Sequence, residues 1–134
     1  MREQFRRQAE RAVSATASAI AVNATERAAI RAAQADCWTE TAVSLEAGTT
    51  TDDLALRARY GGVLEQRAAV AATAATRLEA ELVAGRARLM AARLEERKVE
   101  RLREQWAARE AATAQRVTNR LLDDLALRQY VARK

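Results

Sequence analysis

Apolar residues recur along the first third of the chain at the three-to-four spacing of an α-helix. Residues 2–46 contain neither Gly nor Pro. The recurring apolar row there consists of Phe5, Ala9, Val13, Ile20, Ala24, Trp38, Ala42 and Leu45. Between Ile20 and Trp38 the row is mostly Ala, whose small side chain lets a partner helix approach closely. This pattern predicts a first helix over about residues 2–46.

The clearest break in the helical pattern is the segment Ala47-Gly48-Thr49-Thr50-Thr51-Asp52-Asp53. Gly48 can end a helix in a left-handed conformation. Thr50 followed by Asp53 has the spacing of a helix N-cap and its acidic third residue. We therefore expect a turn at 47–51, and so short a turn favours two antiparallel neighbouring helices.

A second helical pattern covers about residues 52–132. Its apolar row consists of Val63, Val70, Leu78, Leu82, Leu89, Val99, Leu102, Trp106, Val117, Leu121 and Leu125. The spacings mix threes, fours and sevens without a strict long heptad, which predicts a gently coiled hairpin. Two alternatives stay open at Gly61-Gly62: the helix continues, or residues 52–60 form a short separate helix. Gly85 is expected to mark a point of close packing.

The two predicted helices differ in length. At about 1.5 Å per residue, the first spans roughly 65 Å and the second roughly 120 Å. The first can cover the second only to about residue 97. We therefore predict an all-α fold, with one coiled-coil domain over 1–134 in which two long helices form an antiparallel hairpin and the second helix is longer and overhanging. The overhang keeps an apolar row and needs a partner, because helices draw most of their stability from packing.

Composition agrees with this prediction, since Ala, Glu, Leu and Arg dominate and Pro is absent. The single cysteine, Cys37, cannot form an internal disulfide, which favours a reducing, cytoplasmic setting and a place in the helix seam. No run of about 18 apolar residues exists, so no membrane insertion is expected. The charged N-terminus leads into no apolar stretch, so we expect no secretory signal.

The formal charge of +5 is concentrated at the C-terminal end, where residues 97–134 hold ten basic and five acidic side chains. Acidic residues such as Glu100 and Glu104 are interspersed with the basic ones, often three or four positions away. Such pairs are typical of an exposed helix face. A protein-docking helix and a nucleic-acid-binding arm are the alternatives, and we expect no nucleic acid as partner.

Catalytic chemistry has no candidate residues in this sequence. There is no His, and Cys37 has no nearby candidate base. The glycines do not form a phosphate-binding loop, and metal-ligand spacing is absent. Carboxylate pairs such as Asp52/Asp53 are interpreted as caps and solvated faces. We expect no enzyme activity, no cofactor and no metal.

The run Arg97-Lys98-Val99-Glu100-Arg101-Leu102-Arg103-Glu104-Gln105, followed by Leu122-Asp123-Asp124-Leu125-Ala126-Leu127-Arg128 and a basic terminus, resembles the FliJ/YscO family. These are the small coiled-coil stalk proteins of flagellar and injectisome type III export. The stretch from Asp53-Leu54 to Tyr60, with Val63-Leu64 after it, is also similar to the segment that opens the family's second helix. The resemblance covers about residues 52–134.

The resemblance implies an antiparallel two-helix coiled coil in the cytoplasm, peripheral to the inner-membrane export machinery. The implied partners are the hexameric export ATPase, the cytoplasmic ring of the export gate and secretion chaperones. The implied ATPase-facing residues are Arg97, Leu102, Trp106, Asp123, Asp124, Leu125 and Arg128. The implied gate-facing residues are Tyr60, Val63, Leu64, Arg67 and Val70. Because the N-terminus is the part least similar to flagellar members, the injectisome is slightly favoured.

A structural or scaffolding coiled coil that self-associates through the C-terminal overhang is the alternative function. It predicts a dimer at micromolar concentration and no effect on an ATPase.

Overall fold

The computed structural model describes residues 1–134 and contains two helices and no strand. Helix α1 runs over Arg2–Ala47 and helix α2 over Thr51–Ala132. The prediction of an all-α hairpin of two long helices, the second longer, is confirmed. Helix α2 passes through Gly61 and Gly62 without a break, and neither has a positive φ.

The turn between the helices depends on two residues. Gly48 ends α1 with φ 84° and ψ 116°, a region that glycine enters more readily than other residues. The Thr50 Oγ1 hydroxyl accepts a hydrogen bond from the Asp53 amide at 3.2 Å, and the Thr50 carbonyl accepts one from the Leu54 amide. Thr50 is therefore the N-cap of α2, as predicted, and Asp53 occupies the acidic third position.

Contacts group the chain into two compact units, one over Glu3–Met90 together with Met1 and one over Ala91–Lys134 together with Arg2. The first unit holds most of α1 packed along the first half of α2. The second unit is helical, and each of its residues from 100 to 134 is exposed. Whether residues 1–134 behave as one domain stays a prediction.

The register of the first unit is antiparallel and follows from three contacts. Nearest the turn, Arg57 pairs with Glu40 at 3.5 Å. Further along, the Asn23 side-chain amide donates a hydrogen bond to the Ala71 carbonyl at 3.1 Å. Farthest from the turn, a Cβ placed on Gly85 would lie 3.3 Å from Val13 Cγ2. Gly85 is thus a point of close packing, as expected, because a side chain there would crowd Val13.

The seam of the first unit follows a regular heptad, so the prediction that a strict long heptad is absent is wrong. In the first unit the buried and half-buried residues of α2 other than Ala74 alternate at spacings of three and four: Leu54, Arg57, Gly61, Leu64, Ala68, Ala71, Ala75, Leu78, Leu82, Gly85 and Leu89. On α1 the same spacing holds for Arg6, Ala9, Val13, Thr16, Ile20, Asn23, Arg27, Ile30, Gln34, Cys37, Thr41 and Ser44. Regular 3-4 spacing produces a left-handed coiled coil.

The apolar residues of the sequence do not reveal this heptad, because many seam positions hold polar or small side chains. Several residues assigned to the apolar rows face solvent instead, among them Phe5 (60% exposed), Trp38 (78%) and Val70 (70%). Only Ile30, Leu64, Ala71 and Asn23 are buried. The accessible surface is 11325 Å², whereas a compact monomer of this mass exposes roughly 7000 Å². The core is therefore a thin seam.

Candidate docking surfaces

The second unit carries a row of side chains on one side of α2 that includes most of its large apolar residues before position 122; Val99 is half-buried and the others are exposed. The row contains Val99, Leu102, Trp106, Glu110, Thr113, Val117, Leu121, Asp124 and Arg128, spaced in the order three, four, four. This is an 11-residue period of about 3.67 residues per turn, close to the 3.6 of a straight helix. The row, called here the C-terminal face, therefore stays on one side of the helix.

Four of the seven residues assigned to an ATPase lie on the C-terminal face: Leu102, Trp106, Asp124 and Arg128. Trp106 and Asp124 are 18 residues apart, which is five turns of a helix, so their side chains leave it in the same direction. Leu102 and Arg128 each lie one turn away from one of them. All four are exposed.

The other three residues assigned to an ATPase lie off this face. Arg97 is nine residues before Trp106, which places it on the opposite side of the helix. Asp123 and Leu125 flank Asp124, about 100° to either side of it. All three are exposed. One flat partner surface cannot contact Arg97 and Trp106 together.

Glu110 and Thr113 are residues of the C-terminal face that the sequence assignment omitted. Glu110 lines both shallow grooves of the second unit. One groove is formed with Val99, Leu102 and Trp106, and the other with Trp106, Thr113 and Val117. Both residues are polar, so a row defined by apolar side chains does not include them. Their position in the three-four-four order is the signal that could have identified them.

A second candidate surface lies on α2 within the first unit. Tyr60, Val63, Arg67 and Val70 are exposed and recur at helical spacing on one side of α2. Leu64, assigned with them to the export gate, is only 3% exposed because it packs in the seam. Leu64 can therefore support this surface but cannot be one of its contact residues.

A groove of about 430 Å³ crosses the seam near the turn. Its walls include Trp38, Ala58 and Glu65, and Gly61 and Gly62 line it as well. A Cβ added to either glycine would meet no atom within 4 Å. Cys37 lines the same groove and is half-buried in the seam.

Several ion pairs join residues three or four positions apart on one helix, and the pair between Arg57 and Glu40 joins the two helices. Glu95 and Lys98 pair at 2.7 Å. The hydrogen bond from Lys98, together with its positive charge, lowers the pKa of the Glu95 carboxyl. Both side chains are exposed, so the pair contributes little to stability.

The chain contains no group of three or more His, Cys, Asp or Glu side chains arranged to hold a metal ion. Neither helix combines the length and apolar character needed to span a bilayer.

Comparison with known proteins places the chain in one family. No curated protein and no solved structure matches it significantly. A family model described as the flagellar FliJ protein matches residues 1–134. The match covers α1 as well as α2, so the similarity extends further than the 52–134 found from sequence motifs. The chain belongs to the flagellar FliJ protein family.

Proposed function

We propose that this chain is a non-enzymatic stalk component of a type III protein export apparatus. In this proposal the second unit contacts the hexameric export ATPase, and the exposed surface at Tyr60 contacts the cytoplasmic ring of the export gate. Family membership supports the coarser part, a component of flagellar or type III export. The ATPase and gate contacts, and any contact with secretion chaperones, are the part that experiments must test.

The observation that carries the proposal is the exposure of residues 100–134. These residues include Leu102, Trp106, Val117, Leu121 and Leu125, all more than half exposed. A single helix in water gains little stability from packing, and exposed apolar side chains weaken its solubility. A partner that covers these side chains would provide the missing packing.

The physical role of such a segment requires no chemistry of its own. A helix with one apolar side contacts the subunits of a surrounding ring unequally, because only some of them can face that side. Unequal contact favours different conformations in different subunits, and this bias couples ATP hydrolysis to movement around the ring. The basic excess of residues 97–134 adds electrostatic guidance toward an acidic partner.

We favour the flagellar apparatus over the injectisome. The injectisome was favoured because the N-terminal part looked least similar to flagellar members. The flagellar family match includes that part of the chain, so the reason no longer holds.

The decisive experiment measures ATP turnover by the cognate export ATPase with and without this protein. We expect stimulation by the wild type and its loss in the double variant Trp106→Ala/Leu125→Ala. Trp38→Ala is the matched control, because Trp38 is 78% exposed against 66% for Trp106 but lies in the first unit. It should stimulate like the wild type.

Absence of stimulation by the wild type, accompanied by a measurable dimer, would instead support a self-associating scaffold. Equal loss of stimulation in the Trp38 variant would show that the contact is not specific to the second unit.

The gate contact is tested separately by calorimetric titration with the isolated cytoplasmic ring of the gate. Tyr60→Ala/Val63→Ala should weaken binding, because both side chains are exposed on one side of α2. Trp38→Ala again serves as the control. Binding that the double variant leaves unchanged would remove this surface from the proposal.

A further inference from the structure

Glu110 is unusual among the acidic residues of the second unit. Between residues 97 and 134, every other acidic side chain has a basic residue three or four positions away: Glu100, Glu104, Asp123 and Asp124. At those distances from Glu110 stand Trp106, Ala107, Thr113 and Ala114. Its carboxylate therefore has no basic neighbour at helical spacing.

Glu110 also occupies the middle of the C-terminal face. It follows Val99, Leu102 and Trp106 and precedes Val117 and Leu121, and it lines the grooves on both sides. Any partner that covers the apolar residues on either side must also cover Glu110. A carboxylate taken out of water without a counter-charge carries a large penalty, whereas a well-placed cation offsets it. The covering surface must therefore supply a cation at this point.

The two edges of the C-terminal face differ in charge. Arg109 and Arg116, seven residues apart, lie along one edge, and neither has an acidic residue three or four positions away. The other edge carries Ala107 and Ala114 at the same heights, with Arg103 one turn before Ala107. The basic edge favours acidic groups on the partner, and the alanine edge allows a close approach.

We propose that the C-terminal face docks an apolar protein surface that presents one Lys or Arg to Glu110 and acidic side chains to Arg109 and Arg116. This inference rests on the proposed function, since it specifies the surface of the export ATPase that the second unit contacts. Glu110 is thereby a specificity-determining residue. It rejects a partner surface that is uniformly apolar or uniformly acidic, because either would leave its charge buried and unpaired.

The face also supplies matched variants. Leu121 belongs to it, whereas its neighbour Leu122 stands five turns after Glu104 and therefore points away from it. Leu121 is 59% exposed and Leu122 58%, and replacement by Ala, the best helix former, preserves the helix.

The experiment measures the dissociation constant of the full-length protein for the cognate export ATPase by calorimetry. Glu110→Lys should weaken binding at least about tenfold, because it places like charges opposite each other. Glu110→Gln should weaken it less, and its binding should change less with salt concentration. Glu104→Gln is the control, because Glu104 has Arg101 three positions away and lies off the face. It should bind like the wild type.

In the second arm, Leu121→Ala should weaken binding and Leu122→Ala should not. Circular dichroism checks that every variant keeps its helix content.

The outcomes distinguish failure of the proposed function from failure of the inference about Glu110. A wild type that fails to bind the ATPase overturns the proposed function and this inference together. Wild-type binding that Glu110→Lys leaves unchanged, or that Leu122→Ala weakens more than Leu121→Ala, overturns this inference alone. A dimer of the protein by itself that Glu110→Lys dissociates would show that a second copy covers the face, and it would also overturn the inference.

Discussion

Replacing Gly61 and Gly62 by Ala should make the first unit markedly more stable. Both glycines lie within α2 with ordinary helical φ values, so the substitution introduces no backbone strain. Each new methyl group would meet no atom within 4 Å, so it introduces no clash either. What changes is helix propensity, which favours Ala over Gly by about 1 kcal/mol at each position.

The double variant Gly61→Ala/Gly62→Ala should therefore raise the free energy of unfolding by about 2 kcal/mol. For a unit of 60–100 residues this corresponds to roughly 8–16 °C in the melting temperature. The assay is thermal and urea unfolding followed by far-ultraviolet circular dichroism.

Two other glycines provide the controls. Gly48→Ala should lower stability, because Gly48 has φ 84° and an L side chain is strained there. Gly85→Ala should yield clearly less than 1 kcal/mol, because its methyl group would lie 3.3 Å from Val13 Cγ2 and Val13 must shift. A Gly61/Gly62 double variant no more stable than the wild type, or a Gly85 variant that gains as much per residue, would refute the packing described here.

Three further variants test the seam and one surface ion pair. Asn23→Ala should lower the free energy of unfolding by about 1 kcal/mol through loss of its bond to the Ala71 carbonyl; urea unfolding that matches the wild type would contradict this. Leu64→Ala should lower it by about 2 kcal/mol or more, since Leu64 is the most buried apolar side chain; a smaller loss than for Asn23→Ala would argue against that burial. Lys98→Ala should raise the pKa of Glu95 toward 4.5, as followed by NMR titration. Because the pair lowers this pKa, its small stabilisation is present above 4.5 and is lost as the pH falls through the lowered value.

The sequence was a good guide to the helices because their ends depend on local signals. Gly48 and Thr50 act within a few residues of themselves, so the turn follows from their chemistry. The absence of Pro and the scarcity of Gly left few other places to end a helix. Continuity through Gly61-Gly62 was open from sequence, because each glycine carries a propensity penalty of about 1 kcal/mol and the packing that offsets it depends on the partner helix.

The seam was harder to predict because it is not made of large apolar residues. Asn23, Gln34 and Thr41 occupy seam positions on α1, while Phe5 and Trp38 face solvent. In a seam this thin, the size and hydrogen bonding of a side chain decide whether it lies in the seam as much as its hydrophobicity does. Leu64 is buried in this seam whereas its neighbour Val63 is exposed, a distinction that two adjacent apolar residues do not reveal in the sequence.

The candidate site was partly accessible from sequence. Helical spacing alone groups Leu102 and Trp106 on one side. Glu110 was not predicted as a contact residue, because it is polar and lies between the apolar residues Trp106 and Val117. Its position on the same side of the helix becomes evident only when polar residues are included in the row.

The register of the hairpin has a consequence for the order in which it forms. Glu40 and Arg57 are 17 residues apart and Asn23 and Ala71 are 48 apart, whereas Val13 and Gly85 lie 72 positions apart. Closing the longest of these loops from an open chain costs about 1.3 kcal/mol more than closing the shortest. Each contact made near the turn shortens the loop that the next one must close. The two helices should therefore pair progressively, beginning near Gly48. Amide hydrogen exchange should become steadily faster from the turn toward Val13 and Gly85.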